Sequence, residues 1–514
     1  MMSLDRPPPW TWLRSVSLLC LTVGIAAAAE PRIDFDRLSI DEGLSQSIVE
    51  QILQDRQGFM WFVTEDGLNR FDGYTFTVYR NVAGDPSSLS HNELKSIFED
   101  GSGILWVGAF EGGLNRFDPI TEKVTRYRHD RSDPGSLAAD TVRCIAEDRS
   151  GRLWIGTQGG GLDLLDRATG TFRHHRASPD TPGALSHDDV RAIYEDRAGA
   201  VWVGTFGGGL DLLDPRTGRF THHRCDPGGR SSISNDFIRL MLEDRSGALW
   251  IGTQGGGVNR LDPQRHGFKS FRNDPADPSS LSNDHVFAIL EARDGTLWFG
   301  TFGGGLNRLE AATGGFRRYT ARDGLASDSV YAMLEDGAGR LWISTTRGLS
   351  RFDPRSGEFR NYDVRDGLQS NEFNGGSAYR SASGEMFFGG INGFNAFFPD
   401  EIGFNPVVPE VVITDLRLFN RSVRVGERLQ GHAILQRPIN RTGAIELSYR
   451  DNLFSLEFAA LQYSAPGKNR YAYKMEGFSD AWIPVNADRR FATFTGLAPG
   501  DYVFHVRGAN SDGV

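Results

Sequence analysis

Between Gln54 and Phe398 one phrase recurs eight times, in its fullest form Glu-Asp-x-x-Gly-x-Leu-Trp-x-Gly-Thr-x-Gly-Gly-Gly-Leu-x-x-Leu/Phe-Asp. Its aromatic anchors are Trp61, Trp106, Trp154, Trp202, Trp250, Trp298, Trp342 and Phe387, spaced 45, 48, 48, 48, 48, 44 and 45 residues apart. A period of this length with four short β signals per unit specifies a β-propeller. In the fourth unit, Val190–Tyr194 reads as inner strand A and Val201–Thr205 as strand B. Leu210–Leu213 reads as strand C and Phe220–His223 as outer strand D, with Gly/Asp-rich turns between them. Blades pack face to face, so the strand-B aromatic fills the space between neighbours. Its burial contributes roughly 1.5–3 kcal/mol or more per ring.

A missing strand sets the blade count. Strand D carries a Phe-x-x-aromatic signature at Phe76/Tyr79, Phe172/His175, Phe220/His223, Phe268/Phe271, Phe316/Tyr319 and Phe359/Tyr362, with Val124/Tyr127 as a variant. That is seven copies for eight A-B-C units. The eighth unit runs into Pro399-Asp400 without one, while an orphan strand, Ile33–Leu38, precedes the first. That strand is expected to close an eight-bladed ring over residues 32–400, which removes the exposed edge. A seven-bladed ring with an irregular terminal unit is the alternative.

The ends of the chain add a second domain and an address. Arg6 and Arg14, the apolar run Val16–Ile25 and the small residues Ala26–Ala29 read as a signal peptide over residues 1–29. The leucine directly before Cys20 argues against a lipoprotein site. Cys144 and Cys225 read as unpaired, which suits a periplasmic protein better than a small disulfide-stapled one. The net charge of −10, with no basic stripe, argues against nucleic-acid binding. Residues 401–409 form a proline-containing linker. Residues 410–514 read as an immunoglobulin- or fibronectin-like β-sandwich, with strand candidates at 411–419, 455–460, 471–475, 491–494 and 502–507. Leu497-Ala498-Pro499-Gly500-Asp501-Tyr502 reads as a tyrosine corner. Such a corner opens the penultimate strand, so the sandwich reads as one strand short, as expected of a truncated chain, a partial gene or a split protein.

These residues resemble a known family. The stretch Gly43–Asp72 resembles the two-component regulator propeller repeat, and Tyr463, Tyr471, Tyr473 and Tyr502 resemble the triple-tyrosine domain that follows such propellers. The resemblance implies a periplasmic sensor whose output is a histidine kinase, hybrid kinase or diguanylate cyclase. It implies a small-molecule or glycan ligand, an oligosaccharide in several members of the family, and a homodimer formed through the sandwich. It also implies an output domain supplied by a longer form or a separate partner.

A ligand is expected on the face formed by the D–A and B–C loops. The D–A loops between Asn81 and Asp284 are longer than those before Asp328 and Asn371, so one arc stands higher. A polar ring precedes strand A (Ser47, Asn92, Asp140, Asp188, Asp236, Asp284, Asp328, Asn371) and reads first as turn chemistry. The next residue varies, giving Glu93, Asp189, Phe237, His285 and Glu372 as candidate ligand contacts. The B–C tips Gln158, Phe206, Gln254, Phe302 and Arg347 vary likewise. Variation on a fixed scaffold marks a binding surface or drift. Other signals are discounted. The repeated Gly-Gly-Gly leads into a strand, not a helix, so it is no phosphate cradle. The pairs His174-His175 and His222-His223 place adjacent side chains on opposite faces, which disfavours metal. Glu-Asp recurs in nearly every unit and so marks no single catalytic centre. No cofactor, metal or catalytic residue is assigned. A sensor and relay module is the favoured reading, ahead of a polysaccharide-acting propeller enzyme or a non-catalytic scaffold.

Overall fold

The computed structural model describes residues 35–229, 231–262, 264, 267–403, 408–429, 432–448, 450–461 and 466–510. The residues 1–29 expected to be a signal peptide, Ile33 and Asp34 of the expected closing strand, Tyr463 and the last four residues lie outside them. Eight four-stranded antiparallel sheets follow one another, each in the order A-B-C-D. The eighth contains Phe373–Arg380, Met386–Gly390 and Gly393–Phe397, and its outer strand is Asp36–Leu38 from the start of the chain. Asp36, Arg37 and Leu38 pair with Ala396, Asn395 and Phe394. Ring closure by the N-terminal strand is therefore observed, and the ring has eight blades. Phe35 completes the strand-D signature with Leu38 in its aromatic slot. It packs edge-on against Tyr362 at 5.0 Å, as Phe172 does against Tyr127 at 5.5 Å.

Three sets of contacts explain the fixed positions of the repeat. First, the strand-B tryptophans are at most 2 % exposed and sit between blades, each against the strand-D ring of its own blade. Trp342 stacks on Tyr362 at 5.6 Å and Trp61 on Tyr79 at 5.9 Å. Second, the Asp of Glu-Asp accepts the indole N–H. Asp55–Trp61, Asp100–Trp106, Asp148–Trp154, Asp196–Trp202, Asp244–Trp250 and Asp336–Trp342 span 2.7–3.1 Å. The sixth blade has Ala292 there. Third, the Glu reaches the preceding blade. Glu195, Glu243, Glu291 and Glu335 accept the backbone N–H of Arg149, Arg197, Arg245 and Arg293. The Arg149, Arg197 and Arg245 guanidiniums donate to carbonyls of the next turn. The Glu-Asp turns thus tie the blades together.

On the opposite face the polar ring does the same work with backbone. The carbonyls of Asn92, Asp140, Asp188, Asp236, Asp284, Asp328, Asn371 and Ser47 accept an N–H from Gly67, Gly113, Gly161, Gly209, Gly257, Gly305, Gly348 and Gly393 of the preceding blade. These glycines have positive φ, and a Cβ on Gly257 would stand 2.1 Å from the Phe271 carbonyl. Only glycine satisfies both constraints. The Asp188 and Asp236 side chains accept from Ala177 N and Cys225 N in their own loops. The polar ring is turn chemistry, as its residue types imply.

The C-terminal region forms two sheets. One orders Arg421–Ser422, Val411–Leu418, Leu453–Ala460 and Phe491–Thr495, and the other Ser479–Asn486, Arg470–Glu476 and Val503–Ala509. Their facing side chains form one core that includes Leu416, Phe458, Tyr471 and Phe494. Tyr502 Oη donates to Ala498 O at 2.8 Å, which is the tyrosine corner. The strand Ser479–Asn486 carries Asp480, Trp482 and Pro484 in mixed alternation and was not among the sequence expectations.

Candidate functional site

The variable residues converge where the inner strands open onto the D–A and B–C loops. Strand A of every blade carries a β-bulge just after its first residue. In the first seven blades the bulged residues are Glu50, Lys95, Arg143, Arg191, Arg239, Phe287 and Tyr331. A bulge leaves one residue outside the ladder and re-aims its side chain. The eighth blade departs further: Phe373 pairs with Gly390 and Ala378 with Phe388. Asn374-Gly375-Gly376-Ser377 therefore looped out of register. Gly375 faces Arg239, Phe287 and Tyr331 of other blades, since a Cβ there would lie 3.4–3.8 Å from them.

The expected B–C tips sit beside these positions. Gln158 bridges to Asp189, Phe206 to Phe237, Gln254 to His285 and Phe302 to Ser329, each joining one blade to the next. Phe206 and Phe237 meet edge-on at 4.7 Å. Phe302 stacks on Phe287 at 5.4 Å, and Phe287 lies 5.8 Å from Tyr331. Phe237 and Phe302 remain 40 % and 45 % exposed, unusual for phenylalanine.

Charge is divided around this mouth. In the first two blades Lys95 is held by Glu50 at 2.7 Å, Glu93 at 3.0 Å and Glu65 at 3.6 Å. Burial alone would lower the Lys95 pKa, but the hydrogen bonds to Glu50 and Glu93 outweigh it and raise it. Blades three to five present three guanidiniums. Arg143 donates to Gln158 at 2.9 and 2.5 Å, and Arg191 forks onto Asp189 at 2.7 and 2.9 Å while covering Phe206 at 5.0 Å. Arg239 lies over Phe287, 3.6 Å from its centroid. Burial and the neighbouring Arg191 both depress the Arg239 pKa. Tyr331 is pushed up by burial, with Glu372 adding to it.

Of the expected contacts, Glu93, Gln158, Asp189, Phe206, Phe237, Phe302 and Glu372 touch or adjoin bulged residues. Gln254 and His285 lie on the same rim through their shared bridge. Arg347 lines a cleft of about 1070 Å³ between blade seven and the sandwich, with Asp363, Arg365, Asp366 and Lys468. Lys468 spans that boundary, 3.3 Å from Asp363 and bonded to Asp366. Burial pushes the Asp363 carboxyl up, but Arg365 and Lys468 outweigh it and hold it at about 2. The bulged column itself escaped sequence reading. Its signal was present, since the residue after the first apolar position of strand A changes from Glu through Lys and Arg to Phe and Tyr.

The histidine pairs have structural partners. His174 Nδ1 lies 2.6 Å from Asp163 and His222 Nδ1 2.7 Å from Asp211, two fully buried carboxylates on strand C. His175 occupies the strand-D slot against Trp154, and burial lowers its pKa to about 4. Cys144 and Cys225 are free thiols. Burial pushes Cys144 up to about 12. Among the described residues no helix is long and apolar enough to cross a membrane.

The fold is a closed eight-bladed propeller joined to a β-sandwich. Residues 136–159, 184–207, 232–255, 280–303 and 324–347 match the two component regulator propeller, and residues 462–514 match the Y_Y_Y domain. The chain thus carries regulator-propeller repeats followed by a Y_Y_Y domain, and the propeller matched is that of a regulator rather than a catalytic domain. Histidine kinase P4 of Formosa agariphila is 38 % identical over 146 residues, which is 28 % of this chain and a tenth of that relative's length. Two extracellular domains from B. thetaiotaomicron hybrid two component systems are similar at 22 % identity. BT4673 is covered to 66 % by 90 % of this chain, with a TM-score of 0.45. BT3049 is covered to 97 % by 92 % of this chain, with a TM-score of 0.30.

Proposed function

We propose that this chain is the periplasmic ligand-sensing and signal-relay portion of a membrane-associated receptor of the two-component or cyclic-di-GMP type. The propeller binds a small molecule or glycan at the mouth formed by the bulged strand-A residues and the B–C tips. The sandwich passes the bound state to an output domain through a homodimer. The observation that carries this reading is the order of the modules, regulator-propeller repeats followed directly by a Y_Y_Y domain. The half-exposed phenylalanines of the mouth support a binding role, since exposed aromatic rings on a rigid scaffold are ready contacts.

The test is a thermal-shift screen with glycans, peptides and metabolites, followed by sedimentation of the positive cases. A stabilising ligand that is not turned over and that shifts the monomer–dimer balance is the expected result. Turnover of a polysaccharide, or no stabilisation by any member of the panel, would overturn the reading.

A further inference from the structure

The ligand class is narrowed by charge at the mouth, given the ligand-sensing reading on which this step rests. We infer that the mouth recognises an acidic oligosaccharide, and that Arg239 binds its carboxylate or sulfate group. Three guanidiniums, Arg143, Arg191 and Arg239, line consecutive blades, and one carboxylate, Asp189, is paired among them. Arg143 is held by the uncharged Gln158, with Asp189, Glu50 and Glu93 attracting it from beyond hydrogen-bond range. Among the described residues no carboxylate lies within ion-pair distance of Arg239. It rests on Phe287 with its guanidinium near the Gly375 backbone, and burial together with Arg191 already disfavours its charge. A partly desolvated cation without a counter-charge is costly unless an anion arrives. A guanidinium fork matches a carboxylate or sulfate in two parallel hydrogen bonds.

The body of the ligand is read from what surrounds Arg239. Phe302 and Phe237 offer exposed ring faces for the apolar side of a sugar, and Gln254 on the same rim can exchange hydrogen bonds with hydroxyls. The acidic arc around Lys95, with three carboxylates to one cation, repels a second anion there. It therefore orients the ligand, with its charged residue over blades three to five.

Titration calorimetry of the full chain with tetragalacturonate, a sulfated chondroitin tetrasaccharide and cellotetraose tests this. The expected result is binding of at least one acidic probe, weakened by added salt. Arg239→Gln should reduce that affinity at least tenfold without lowering the melting temperature. Phe302→Ala, at a half-exposed position, should weaken binding while leaving the fold intact. Which acidic probe binds separates a carboxylate from a sulfate ligand. Equal binding of cellotetraose with no effect of Arg239→Gln would refute the anion assignment yet leave ligand sensing standing. Failure of all three probes would refute the acidic-saccharide assignment, and the broad stabilisation screen then decides sensing separately.

Discussion

Replacing Asp244 by alanine isolates what the repeated Glu-Asp turn does. Asp244 is 6 % exposed, and its Oδ2 accepts the Trp250 indole N–H at 2.7 Å. Its Oδ1 accepts Ser246 N at 2.8 Å and Ala248 N at 3.1 Å. Hydrogen bonds to a charged acceptor are worth about 1.5–3 kcal/mol each, and a buried donor left unpaired costs about 1–3 kcal/mol. Ser246 lies at the turn and can turn to water; Trp250, 1 % exposed, and Ala248, fully buried, cannot. A loss of about 3 kcal/mol is expected, close to 150-fold in local opening by the tenfold-per-1.4 kcal/mol rule. Hydrogen exchange followed by mass spectrometry on strands A and B of blades four to six reads this directly. The sixth blade supplies an internal comparison, since Ala292 already stands at this position. Ala292→Asp should slow exchange around Trp298, where Asp244→Ala speeds it around Trp250. Burial raises the Asp244 pKa, but hydrogen bonds from Ser246 and Trp250 outweigh it and lower it. The contribution is therefore present above the unfolded carboxylate pKa and lost as pH falls through the lower folded value. Exchange unchanged within threefold in Asp244→Ala would refute the assigned role.

Phe35→Ala should open the ring at its seam, because Phe35 packs on Tyr362 at 5.0 Å and Phe397 at 4.9 Å. A loss of about 3–5 kcal/mol is expected, visible as proteolysis within blade eight. Gly257→Ala forces a Cβ to within 2.1 Å of the Phe271 carbonyl at φ +75°, so expression of folded protein should fall sharply, by size-exclusion yield. The hydrogen bond to Asp163 raises the His174 pKa. Its stabilising effect should be complete below the unfolded value of about 6.5 and lost as pH rises through the folded one, and an NMR titration midpoint at or below 6.5 would contradict this. Tyr502→Phe removes the bond to Ala498 O and should cost about 1 kcal/mol in chemical unfolding of the sandwich.

Much of the site was legible only in part. The B–C tips and the residues before strand A were visible as varying columns inside a fixed phrase, and the structure places most of them on one rim. Arg347 lines the cleft that blade seven shares with the sandwich, where Lys468 comes from outside the repeat and no varying column reveals it. The bulged column was overlooked because strict strand alternation would place its residues in the ladder. A bulge breaks that period without any glycine or proline to announce it.

The sequence by itself determined the ring. A fixed period, tryptophans that must be buried, glycines that must take positive φ and an outer strand displaced to the chain start specify a closed ring, since each constraint is local to a unit or its neighbour, and the pairing of Asp36–Leu38 with the last blade decided eight blades over seven. What only the tertiary structure decided is which residues meet across blades. Arg239, Phe287, Tyr331 and Gly375 come from three different inner strands and a looped-out segment, separated in sequence but gathered at the mouth. Their electrostatic relation follows from the curvature of the ring, which no single repeat encodes.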